Sequence, residues 1–124
     1  MTTKVLAIDD SRTIRNLLRV CLEGAGFDFH SACDGVEGVE AFADLDPDMV
    51  ITDINMPRMD GFGVIETLRS GPNRTNVPIL VLTTESSDDL KSRARAAGAT
   101  GWVVKPFDDG TLVSVVHRLT GGAA

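Results

Sequence analysis

Five short apolar runs alternate with five stretches of helical periodicity, and that alternation restricts the fold before any residue is considered for chemistry. Lys4-Val5-Leu6-Ala7-Ile8, Val50-Ile51-Thr52 and Pro78-Ile79-Leu80-Val81-Leu82-Thr83 are nearly continuous apolar runs, the pattern of short strands buried on both faces. Gly101-Trp102-Val103-Val104 is a fourth. Phe27 to Cys33, where Phe27, Phe29 and Ser31 alternate with Asp28 and His30, is a weaker fifth that suits a sheet edge. The first helical stretch follows a cap at Asp10 or Ser11 and sets an apolar stripe of Ile14, Leu17, Leu18, Cys21 and Leu22 against Arg12, Arg15 and Arg19. Val36, Val39 and Ala43 mark the second helix, and Phe62, Ile65 and Leu68 the third. A fourth begins at Ser86 or Ser87 and runs to about Ala97, and Leu112, Val115, Val116 and Leu119 mark the last. Gly24 and Gly26, Asp46-Pro47-Asp48, Ser70-Gly71-Pro72-Asn73 and Gly98-Ala99 punctuate the pattern, and the tail Gly121-Gly122-Ala123-Ala124 should fray. Strand and helix in strict alternation with short connections make an α/β fold, a parallel sheet with helices on both faces.

A chain of 124 residues suits one domain and buries roughly two thirds of its unfolded surface, enough for a proper core. Eighteen Asp and Glu against twelve Lys and Arg leave a net charge of −6, which argues against nucleic acid as a direct ligand. No signal peptide or membrane span is visible, since Val5 to Ile8 is short and Asp9 and Asp10 interrupt it. A cytoplasmic location with no membrane partner is the expectation. Cys21 and Cys33 have neither CxxC nor zinc spacing and read as buried, reduced thiols.

The chemistry lies in what each run ends on. Asp9 and Asp10 follow the first strand, Asp53 the third, Thr83 closes the fourth and Lys105 follows the fifth. Parallel strands end at one edge, where open α/β sheets form their ligand crevice, so these groups converge. Each has a mundane reading alone: a helix cap for Asp9-Asp10, a turn residue for Asp53, a backbone hydrogen bond for Thr83, a solvated charge for Lys105. Their companions at the same edge overturn those readings. Three neighbouring carboxylates raise one another's pKa, and a divalent cation removes the conflict. Magnesium takes hard oxygen ligands, so Asp10 and Asp53 fit as direct ligands, Asp9 through water, with a backbone carbonyl near Asn55 completing the protein's share. Lys105 adds fixed positive charge and Thr83 a donor, which together make a site where a carboxylate can attack phosphorus.

These residues carry a resemblance. Asp9-Asp10-Ser11 with Arg15, Asp53-Ile54-Asn55-Met56-Pro57-Arg58-Met59-Asp60-Gly61, Thr83 and Lys105-Pro106-Phe107, in this order, closely resemble the receiver domain of bacterial response regulators, and most closely the single-domain CheY-like chemotaxis type. The resemblance spans residues 1–124 as one receiver domain. It implies a flavodoxin-like sheet of order 2-1-3-4-5, a phospho-acceptor module rather than an enzyme, and Asp53 as acceptor of a phosphoryl group from a histidine kinase of the CheA type. It further implies Mg2+ on Asp10, Asp53 and the Asn55 carbonyl, Lys105 bridging Asp53, Thr83 swinging onto the phosphate, and a cis Lys105-Pro106 bond. Trp102 takes the aromatic switch position, bulkier than the usual residue, and Thr84 follows Thr83 where relatives often have Ala or Gly. Asn55 and Glu85 imply fairly fast self-catalysed dephosphorylation. The expected protein is a monomer that signals in trans, with a flagellar motor switch protein as target and Lys91 and Arg95 as contacts; a phosphate sink or relay is the alternative.

Two rivals use related parts. A haloacid dehalogenase-like phosphohydrolase would need DxDxT after the first strand, and Asp9-Asp10-Ser11-Arg12-Thr13 lacks its second acid. A flavin-binding electron carrier would need a Ser/Thr/Gly-rich phosphate loop there, which Arg12-Thr13-Ile14-Arg15 is not. A pseudo-receiver would lack some phosphorylation residue, and all are present.

Overall fold

The computed structural model describes residues 2–72 and 75–121. Asn73, in the exit loop after the third helix, and residues 122–124 of the expected fraying tail lie outside the described residues. The order is β1 (Lys4–Ile8), α1 (Arg12–Gly24), β2 (Asp28–Ala32), α2 (Gly35–Leu45), β3 (Met49–Thr52), α3 (Gly61–Ser70), β4 (Ile79–Thr83), α4 (Asp88–Ala97), β5 (Gly101–Val104) and α5 (Asp109–Leu119). The strands form one parallel sheet ordered β2-β1-β3-β4-β5, the flavodoxin-like arrangement.

Every residue of β3 and β4 is buried, and so is β1 after Lys4, because the pleat sends alternate side chains into two separate cores. Val5, Ala7, Met49, Ile51, Leu80 and Leu82 meet α1 and α5 through Leu18, Leu22, Leu112 and Val116. Leu6, Ile8, Val50, Ile79 and Val81 meet α2, α3 and α4 through Phe42, Phe62, Ile65, Leu68 and Ala94. A polar cap begins each helix: Ser11, Asp34, Asp60, Ser87 and Asp108 each accept a hydrogen bond from the amide three residues on. All five caps follow strand ends, so the helix starts that line the crevice are fixed by side chains.

Several sequence expectations are corrected here. Leu17 is 52% exposed: α1 buries Leu18, Cys21 and Leu22, a narrower stripe, because the sheet touches only one side of the helix. In α2 the buried anchor is Phe42, one residue before the exposed Ala43. Cys21 is buried as expected, but Cys33 is half-buried, just past the end of edge strand β2. Among the described residues, no helix is long and apolar enough to cross a membrane.

Candidate functional site

The sheet register places the carboxylates. Ile8 pairs with Thr52, so the next residues on the two strands emerge side by side; Asp53 N–H donates to the Ile8 carbonyl at 3.0 Å and Asp9 N–H to Ala32 at 3.1 Å. On the far side Thr83 pairs with Val104, and Lys105 N–H donates to the Thr83 carbonyl at 2.8 Å, so Lys105 leaves the same edge. Its Nζ donates to Asp9 Oδ2 at 2.8 Å and to Asp53 Oδ2 at 3.0 Å. The remaining oxygens are pinned by backbone amides, Asp9 Oδ1 by Ser11 at 2.9 Å and Asp53 Oδ1 by Ile54 at 2.7 Å. The Lys105-Pro106 bond is cis.

Burial sets the electrostatics. Asp9 is 2% exposed, and desolvation pushes its carboxyl above the usual range despite the hydrogen bonds from Lys105 and Ser11. Burial alone would lower Lys105, but the hydrogen bonds and charges of Asp9 and Asp53 outweigh it, and the ammonium is held above its ordinary value. An ionised Asp9 therefore opposes folding. Its stabilising contribution is full below the unfolded carboxyl value and lost as pH rises through the raised folded one. Asp9→Asn should accordingly melt at a higher temperature than wild type near neutral pH in Mg2+-free buffer, with the gap closing as pH falls toward about 4. Equal melting at neutral pH would refute that reading of Asp9.

Asp9, Asp10 and Asp53 each offer a carboxylate oxygen, all within 4.8 Å of one another, with Asp10 exposed and the other two buried. An all-oxygen set with one exposed member suits a hard cation that would keep part of its water. The residues present fit Mg2+.

The other expected residues surround this centre unequally. Asn55 is exposed, and its amide donates to Glu85 Oε1 at 3.3 Å. The Trp102 indole N–H donates to the Glu85 carbonyl at 3.0 Å, tying β5 to the loop after β4. Thr83 is fully buried, and its hydroxyl accepts the Glu85 amide at 3.4 Å, with no hydrogen bond to the three carboxylates. Thr84 is exposed. A cavity of about 70 Å³ away from the carboxylates is lined in part by Lys91, Arg95 and Trp102.

The arginine face of α1 is a solvated face at Arg12 and Arg19 but not at Arg15, whose Nη1 donates to the Asp9 carbonyl at 2.7 Å. Among the features that escaped the sequence reading are the Lys105 bond to Asp9, the joining of Asn55 and Trp102 through Glu85, and the approach of Gly61 to the Asp53 carbonyl, which a Cβ would strike. The glycine after Asp60 was a signal for the last, since close backbone approach is one reason for glycine in a turn.

The family profile described as "Response regulator receiver domain" matches residues 5–117. The crystal structure of the chemotaxis protein CheY4 of Vibrio cholerae is similar to this chain at 40% identity and a TM-score of 0.91, covering 96% of this chain and 99% of that one. The probable chemotaxis protein CheY of Rhizobium etli is 34% identical, over 95% of this chain and 92% of its own length. The dual master transcriptional regulator RpaA of Synechocystis is also 34% identical, over 94% of this chain but 48% of itself, so the chain spans about half the length of such relatives. A profile match over nearly the whole chain, on a fold whose strand ends gather three carboxylates and a lysine, shows that the chain belongs to the response regulator receiver domain family.

Proposed function

We propose that this chain is a phosphorylation-controlled binding module that accepts a phosphoryl group on Asp53 from the phosphohistidine of a histidine kinase. The observation that carries the reading is the buried Asp53 carboxylate, fixed by the Lys105 ammonium and the Ile54 amide beside two further acids. An Asp53 oxygen forms the O–P bond as the P–N bond breaks, the electron pair leaving with the imidazole nitrogen. Asp9, Asp10, Asp53 and the Asn55 carbonyl are the residues to hold Mg2+, which when bound supplies positive charge for the phosphoryl oxygens. Lys105 supplies a second, permanent charge on the same side. The Thr83 hydroxyl accepts the Glu85 amide and keeps a proton to donate to a phosphoryl oxygen, and Trp102 shares Glu85, so the two responses are linked through that residue.

Likeness to chemotaxis proteins over nearly their whole length favours signalling in trans, with a flagellar motor switch protein as the target. The cavity flanked by Lys91, Arg95 and Trp102 is the candidate contact surface. The test uses the lone tryptophan: beryllofluoride, a stable phosphoryl mimic, is titrated with and without Mg2+ while Trp102 fluorescence is recorded. A saturable, Mg2+-dependent change is expected. A flat signal would remove Trp102 from the response, and a change indifferent to Mg2+ would remove the metal from the site.

A further inference from the structure

The turn between β3 and α3 is held from outside. Arg58, within it, has φ 68°, in the left-handed region that side chains other than glycine rarely adopt. Its Nη1 donates to Asp34 Oδ2 at 3.2 Å. Asp34 cannot follow a moving partner: its side chain is 7% exposed, and its other oxygen caps α2 by accepting the Glu37 amide at 2.8 Å. Beside it Gly35 leaves space for the Met59 carbonyl, which a Cβ there would strike. At the other end Gly61 lies equally close to the Asp53 carbonyl, and its amide donates to Ile54 at 2.8 Å. The turn is thus seated between the start of α2 and the backbone of Asp53, and Asn55 lies inside it.

We infer that Asp34 and Arg58 are positioning residues for the metal site, locking this turn and through it the Asp53 carboxylate and the Asn55 carbonyl in the arrangement that binds Mg2+. The inference rests on the receiver reading above. An ion pair between two mobile surface groups would transmit little. Here one partner is buried and immobilised by its own capping bond, so the pair transmits position as the outer partners of metal ligands do.

Calorimetric titration with MgCl2 tests it on wild type, Arg58→Ala, Arg58→Gly, Arg58→Lys, Asp34→Asn and the double variant Asp34→Asn/Arg58→Ala. Arg58→Ala and Asp34→Asn should each bind Mg2+ roughly three- to tenfold more weakly, at or below the range seen for outer partners of ligands. Because the two act as one unit, the double variant should be no weaker than either single. Arg58→Gly relieves the backbone strain without restoring the pair and should stay weak, whereas Arg58→Lys restores a cation and should recover part of the affinity. Phosphorylation by acetyl phosphate at saturating Mg2+ should stay within about twofold of wild type, placing the effect on half-saturation rather than on maximal rate. Asp34→Asn keeps an N-cap residue and guards against misfolding as the cause. Wild-type affinity in both Arg58→Ala and Asp34→Asn, or full recovery in Arg58→Gly, would overturn the inference alone. A wild-type protein that binds no Mg2+ would overturn the receiver reading and the inference with it.

Discussion

Asp53→Asn should take up no detectable phosphoryl group from acetyl phosphate and Mg2+, a loss of at least about a thousandfold in rate, within the range seen when an enzyme's nucleophile is removed. The geometry makes this a clean test. Asn keeps the size of the side chain and an oxygen to accept the Ile54 amide, while Lys105 retains its bond to Asp9. The fold should therefore survive, and one ionised group is removed from a crowded centre, so the variant should melt no lower than wild type in Mg2+-free buffer. Intact-mass measurement after incubation with the donor reads the result directly. Phosphate occupancy equal to wild type would exclude Asp53 as the acceptor and point to another of the acids at the same edge.

Lys105→Met should produce the largest change in stability. The ammonium is 9% exposed between Asp9, 2% exposed, and Asp53, 11% exposed, and it donates a hydrogen bond to each. Methionine fills similar space but leaves two buried carboxylates uncompensated, which costs about 3–5 kcal/mol when one partner of a buried ion pair is removed. For a domain of this size that lowers the melting temperature by roughly 10–20 °C in Mg2+-free buffer. Mg2+ should restore more stability to the variant than it adds to wild type, because it supplies the missing charge. On the proposed reading, phosphorylation at saturating Mg2+ should still fall by about a hundredfold, since the metal would not replace a contact from the ammonium to the phosphoryl oxygens. Thermal melts with and without Mg2+ check the first part and donor kinetics the second. A variant that melts with wild type in the absence of Mg2+ would show that the Lys105 pairings do not hold this edge together.

The two predictions draw on different levels of information. That Asp9, Asp10, Asp53, Thr83 and Lys105 meet at one edge was legible from strand ends alone, because an apolar run of four or five residues and the turn after it are local, and parallel strands finish on one side. The helices were legible for the same reason, through caps and period, with errors of a residue or two in which side chain anchors each. Leu17 illustrates the limit: helical spacing says that a stripe faces inward, not how wide the covering sheet is.

Hydrogen-bond partners were a different matter. Lys105 and Asp9 stand 96 residues apart, and nothing in either local sequence says that the ammonium lies between two acids rather than on one. The Thr83 hydroxyl turns to the Glu85 amide, Arg15 reaches back to the Asp9 carbonyl, and Arg58 reaches across to Asp34 because register and loop closure bring those atoms within range. The sequence by itself determined the strands, the helices and which polar residues stand at the strand ends, since these follow from short-range periodicity and from where each run stops. Only the tertiary structure decided which charge neutralises which, since pairing distances depend on strands and loops meeting across the whole chain.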